Sequence, residues 1–342
     1  MKRNIYLLWL MFGLISCSSN SHGPIETTDA ETEEICRLGE NLALIKTPVS
    51  FSMVGEDRFV ISDRNGVYLY GTDGNQISRI GRTGRAKSEY NMPSIARCFG
   101  DSVYIWCPMS LKFVTWSLDG QPGAEYRYPS AVSDFTPTDD ELFIYTAGRR
   151  FDNVIDVYDK NTQAVKKTLL KSTSEHQFLI AFITSYPMLI EGDNFYFMPK
   201  DRLSVMDYEI SADELKEKCS FLSDTFVVDD GLYYDLMVED RTTARAELRE
   251  NSQTLFLSPS RKGFYVLTKE GTGKLEGEKN DFSDTAISLY DTGKRNVHIA
   301  SYSYDSIGTL ELFGHWEDNV YFIRHDVKDG NDIYTLNRLV IQ

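Results

Sequence analysis

The chain has 342 residues, 42% of them hydrophobic and 25% charged, with 51 acidic side chains against 36 basic ones and a formal net charge of −15. That composition excludes a disordered or fibrous chain, and the acidic balance excludes a nucleic-acid partner, whose phosphates would be repelled at long range. Five His and five Cys are too few for a zinc array or a dense disulfide framework.

The N-terminus reads as an address. Lys2 and Arg3 precede an apolar run, Ile5 to Ile15, which has the length of a signal h-region and is too short to span a bilayer. Leu14-Ile15-Ser16-Cys17 at its end resembles the lipobox of bacterial lipoproteins. The resemblance implies removal of residues 1–16, acylation of Cys17 and a membrane anchor. Ser18 stands where an Asp would imply retention at the inner membrane, so the outer membrane is expected, in either leaflet. Residues 17–34 contain no aromatic side chain and end in an acidic run through Glu34, which predicts a flexible tether before a domain over 35–342.

The rest of the chain repeats. Six short runs follow turns of Gly, Asp, Asn or Lys: Phe59-Val60-Ile61, Val103-Tyr104-Ile105, Leu142-Phe143-Ile144, Phe195-Tyr196-Phe197, Phe264-Tyr265-Val266 and Val320-Tyr321-Phe322. Each is aromatic or β-branched and bounded by turn chemistry, as a strand requires. A second strand follows most of them and ends in its own turn, as in Val67-Tyr68-Leu69-Tyr70 before Asp73-Gly74 and Phe113-Val114-Thr115-Trp116 before Asp119-Gly120. With an inner strand before and an outer strand after, the unit is a four-stranded meander that buries both faces only by stacking on copies of itself. The expected fold is therefore all-β: a six-bladed β-propeller with four-stranded antiparallel blades.

The last unit is one strand short. Leu42 to Lys46, an unassigned apolar segment, is expected to close that blade from the N-terminal side and so remove an exposed edge. Ser174 to Pro187 and Leu232 to Ser252 fit no meander and read as insertions, with a short helix over Leu236 to Leu248. A hairpin at Gly100-Asp101 would set Cys98 opposite Val103, away from Cys107. Cys36, Cys98, Cys107 and Cys219 are read as buried and free.

From Phe59 to Tyr90 the residues resemble the six-bladed propeller lipoproteins abundant in Bacteroidetes, which are similar in blade pattern to NHL-repeat proteins. The resemblance rests on Ile61-Ser62-Asp63-Arg64, Val67-Tyr68-Leu69-Tyr70, Asp73-Gly74 and Ile80-Gly81-Arg82-Thr83-Gly84 ending in Glu89-Tyr90. Where that family reads Gly-Pro-Gly before Glu-Tyr, this chain has Ala86-Lys87-Ser88. It implies a binding protein rather than an enzyme. Related propellers also include calcium-dependent lactonases and amidating lyases, so the alternative is a hydrolase or lyase with Asp63, Asp134, Asn194 and Asp318 around a calcium ion in the channel.

Catalytic motifs are absent from the sequence. Gly271-Thr272-Gly273-Lys274 lacks the Ser or Thr and the first Gly of a phosphate loop, and no GxSxG or HExxH occurs. Cations, by contrast, recur in loops that a propeller gathers on one side. These are Arg64, Lys112, Arg149, Arg150, Lys200, Arg202, Lys269, Lys274, Arg324, His325 and Lys328, with Arg82, Arg85 and Lys87 after the first blade. They predict an electropositive mouth for an anionic glycan or peptide, with Tyr90 or Trp106 as a stacking surface. No cofactor is expected.

Overall fold

The structure, a computed structural model, describes residues 31–38, 48–146, 153–171, 186–199, 202–209, 215–223, 226, 240, 251–270, 286–293, 298–303 and 312–341. The chain enters in β1 (Glu31–Arg37). The first blade is β2 (Pro48–Val54), β3 (Arg58–Asp63), β4 (Val67–Gly71) and β5 (Gln76–Ile80), and the second is β6 (Ala96–Phe99), β7 (Ser102–Cys107), β8 (Lys112–Ser117) and β9 (Pro122–Arg127). The third comprises β10 (Val132–Pro137), β11 (Glu141–Thr146), β12 (Asn153–Asp159) and β13 (Ala164–Lys171). The fourth comprises β14 (Met188–Glu191), β15 (Asn194–Phe197), β16 (Ser204–Glu209) and β17 (Lys216–Ser220). The fifth has β18 (Gln253–Pro259), β19 (Phe264–Lys269), β20 (Ala286–Asp291) and β21 (His298–Ser303), and the sixth has β22 (Leu312–Trp316), β23 (Asn319–Lys328) and β24 (Asn331–Val340). Each blade is one antiparallel sheet of four strands, as the repeat predicts, and β1 is the fourth strand of the sixth.

The six aromatic runs all fall on the second strand of a blade. The core does not sit at one centre. It is divided among the spaces between blades: Val60, Leu69, Val103 and Val114 fill the space between the first two, and Phe143, Val157, Phe195 and Tyr208 that between the third and fourth. A blade held between two neighbours is apolar on both faces, which is why β4 and β7 are buried almost without alternation.

Ring closure comes from the N-terminal side, but from a different segment than expected. Glu31–Arg37 pairs antiparallel with Thr335–Val340 of β24, whereas Leu42 to Lys46 lies outside the described residues. Glu31 to Glu34, expected in a tether, therefore belong to the sixth blade. Backbone pairing holds this strand while most of its side chains stay in solvent; Arg338 reaches Glu33 at 2.5 Å, and the Leu38 N–H donates to the Tyr334 carbonyl at 2.9 Å. Apolar contact is confined to its second half, where Ile35 and Cys36 pack against the core, and to Leu38 just after it, which is buried.

Cys98 lies opposite Val103, and Cys36, Cys98, Cys107 and Cys219 are free thiols, of which Cys107 is buried and the other three are half-buried rather than buried as expected. Burial pushes the Cys98 and Cys107 thiols up to about 12, far from thiolate reactivity. The helix expected over Leu236 to Leu248 falls outside the described residues, as does most of Ser174 to Pro187.

Candidate functional site

Strand alternation sends two kinds of loop to each side of the ring. One side carries the connections between blades and the turns between second and third strands; the other carries the turns between first and second and between third and fourth strands. The two sides differ in charge.

On the first side, the connection after β5 is built as a rigid shelf. Gly81 turns at φ +76°, where a Cβ would meet Tyr90 at 2.7 Å and the Trp116 indole at 2.9 Å, so only glycine fits. Tyr90 is completely buried, and its hydroxyl donates to the Ile80 carbonyl at 2.8 Å. The Glu89 N–H donates to the Ala86 carbonyl at 3.1 Å, and Ser88 takes φ +63° in place of the family's glycine, so the tight turn forms without Gly-Pro-Gly. The Trp116 Nε1–H then donates to the Ser88 carbonyl at 2.8 Å, clamping the shelf to the second blade.

This shelf forms one wall of a cleft of about 510 Å³ between the first two blades. Arg85 and Lys87 come from the shelf, Met109 from the turn before β8, and Lys112, Glu125 and Arg127 from the paired strands β8 and β9. Lys112 is buried and engaged, with Nζ 2.8 Å from Glu125 Oε2. Burial raises the Glu125 carboxyl, but the Lys112 and Ser88 hydrogen bonds and the charges of Lys112 and Arg127 outweigh it and hold the group below the usual range. Glu125 thus stays ionised and compensates Lys112. Arg85 and Lys87 are exposed and, like Arg127, form no ion pair among the described residues. The cleft presents three uncommitted cations around an exposed Met109.

Of the cations expected at one mouth, Arg85 lines this cleft together with Lys87 and Lys112. Arg64, Arg82 and Arg202 are exposed on the same side but outside the cleft. Arg324 pairs with Asp326 at 2.9 Å, and His325 stacks on Tyr334 with Nε2 2.8 Å from Asp332. Arg149, Arg150, Lys200 and Cys17 lie outside the described residues. The stacking role expected of Tyr90 or Trp106 is wrong: Trp106 is 1% exposed against Phe113 and Tyr128, and Tyr90 anchors the shelf from inside. Arg127 escaped the sequence reading because it closes an outer strand instead of sitting in a loop; the alternation of Tyr126 and Arg127 was its only signal.

The opposite side is acidic. Its inner turns carry Glu56-Asp57, Asp101, Asp139-Asp140, Asp193 and Glu317-Asp318, against Arg58, Arg261 and Lys262. Between these turns the central channel opens as a cavity of about 250 Å³, bounded by the first strands of the blades. Arg97 crosses it to Asp134, with Nη2 2.6 Å from Oδ1, and lies 4.4 Å from the Tyr186 ring centre. His315 Nδ1 is buried without a well-formed hydrogen bond; burial pushes the imidazole down to about 4, against the opposing pull of the Glu317 backbone, leaving it neutral at pH 7.

The four residues expected around calcium do not converge. Asp63 accepts the N–H groups of Asn65 and Gly66, Asp134 takes Arg97, Asp318 takes Arg261 at 3.1 Å, and Asn194 lies in β15 opposite Glu191. Among the described residues no group of three His, Cys, Asp or Glu side chains is placed to hold a metal.

Comparison with solved structures finds the same architecture. A Bacteroides fragilis protein assigned as exported is 15% identical and superposes with a TM-score of 0.68 over 93% of this chain and 98% of its own. A member of the DUF4221 family from Bacteroides vulgatus is 9% identical, with a TM-score of 0.62 over 93% of this chain and all of its own. At such identities the likeness concerns the fold alone. A comparison with curated proteins finds no match. A family model described as 6-bladed beta-propeller matches residues 40–246, more than half of the sequence, and the chain belongs to that family.

Proposed function

We propose that the protein is an exported, lipid-anchored propeller that binds an anionic glycan or peptide without transforming it, in the cleft between its first two blades. The observation that carries this reading is three cations that form no ion pair among the described residues, around a preformed concavity, in a chain of net charge −15. Arg85 and Arg127 supply planar donor pairs that match carboxylate or sulfate groups, and Met109 gives an adaptable apolar contact. The clamped shelf lowers the ordering cost of binding.

The anchor follows from the sequence Leu14-Ile15-Ser16-Cys17, and the exported B. fragilis neighbour supports export. The direction of β1 adds an orientation. It starts on the acidic side and runs toward the connections between blades, so Glu31, its first residue, lies on the side away from the cleft. A chain tethered there turns the cleft away from its membrane.

Changing Arg85, Lys87 and Arg127 together to Glu is expected to weaken binding to polygalacturonate or chondroitin sulfate at least about tenfold, and binding to fall steeply with salt. Arg64→Ala and Arg202→Ala should leave it nearly unchanged. Parent protein that binds neither polymer at low salt, or a triple variant that binds as well, sinks the cleft assignment. For the anchor, radiolabelled palmitate should enter the parent protein and not Cys17→Ser; label retained in that variant rules out Cys17.

A further inference from the structure

The acidic mouth on the opposite side is unlike the cleft. Its cavity has several aromatic rings in its wall, among them Phe51, Phe99, Phe256 and Trp316, with Met53 and Ile190 between them. Trp316 is 39% exposed at the end of β22, while Trp106 and Trp116 are buried. The charge pair inside is internally satisfied. Arg97 directs Nε and Nη2 to Asp134 and Nη1 to the Phe51 and Ala96 carbonyls, so the pair adds no net charge to the acidic turns around it. His315 lines the same cavity with its buried Nδ1 lacking a well-formed hydrogen bond, a cost that a ligand hydrogen bond would remove.

We propose that this channel mouth is a second binding site, for the ammonium or guanidinium head of an organic cation carried on a short apolar stem. Aromatic faces attract such a head through their quadrupoles, and carboxylates at the rim concentrate it. The His315 nitrogen meets a donor on the ligand. A cavity of about 250 Å³ takes one alkylamine or one basic side chain, not a folded partner. The two sides of the ring would then select ligands of opposite charge.

The test uses the full mature chain with spermidine, agmatine and an acetylated tripeptide ending in arginine amide, and 1-hexanol as the uncharged control. Binding is followed by calorimetry and by tryptophan fluorescence, to which Trp316 is the exposed contributor among the described residues. Saturable binding of at least one cation is expected, weakened about tenfold by Trp316→Ala and by His315→Phe, and unaffected by the Glu triple variant of the opposite cleft. Spermidine or agmatine binding without the peptide assigns a free amine; peptide binding assigns a basic side chain. Absence of saturation with all three cations overturns the site, as does equal binding of hexanol. Binding that survives both Trp316→Ala and His315→Phe, in variants shown by melting to be folded, places the cation elsewhere on the acidic surface and also overturns it. Failure here leaves the cationic cleft untouched, because the two sites share no residue.

Discussion

A chain beginning at Gly39 is expected to melt about 10 °C below one beginning at Glu31, and to aggregate when heated. Removing β1 strips the sixth blade of its fourth strand and leaves the whole β24 edge, Thr335 to Val340, without a backbone partner. Leu38, 2% exposed, goes with it, and the neighbouring Leu336 and Leu339, now buried, become accessible. Burial of one such leucine stabilises by roughly 2 kcal/mol, and each hydrogen bond contributes about 1 kcal/mol. A total near 5 kcal/mol is a large share of the stability of an ordinary domain, and in a protein of this size it moves the midpoint by about 10 °C. The exposed edge is also a template for pairing with other chains. A synthetic peptide covering Glu31 to Leu38 should restore part of the loss if the effect is strand pairing. Equal melting temperatures for the two chains would show that β1 does not close the ring.

The misplacement of that strand marks where sequence reading stops. Blade number, blade order and the aromatic second strand were legible because turn residues punctuate each repeat, Gly55, Gly100 and Gly192 among them at positive φ. β1 was not, since it is bound through its backbone at an outer edge and its acidic side chains face water. An apolar pattern is not required there, and Glu31-Thr32-Glu33-Glu34 looks the same as a solvated tether. Trp106, in β7, failed for a related reason. Both faces of a blade are packed, so strand parity no longer tells an interior aromatic from one turned to a ligand. The cleft was half legible: Arg85, Lys87 and Lys112 follow from loop order. The commitment of Lys112 to Glu125, and the arrival of Arg127 from an outer strand, depend on a cross-strand register that composition does not carry.

The second large effect is expected at Arg97. Its guanidinium joins the first strands of three successive blades, donating to Phe51 of β2 and to Asp134 of β10 from its own place in β6, and its face lies on Tyr186 just before β14. Asp134 is 1% exposed, so Arg97→Ala leaves a carboxylate in the channel wall without its counter-charge. Loss of one partner of a buried pair typically costs about 3–5 kcal/mol, whereas replacing both by apolar groups of similar size is often neutral. Arg97→Ala should therefore unfold at markedly lower denaturant concentration, Arg97→Lys should fall between it and the parent because a single ammonium lacks the fork, and Arg97→Met with Asp134→Leu should recover most of the loss. The midpoints are measured by chemical denaturation with an unchanged slope as the check on two-state behaviour. A double variant as unstable as Arg97→Ala, or a single variant within about 1 kcal/mol of the parent, would mean that the channel wall is held by apolar packing between blades and that Arg97 adds little to it.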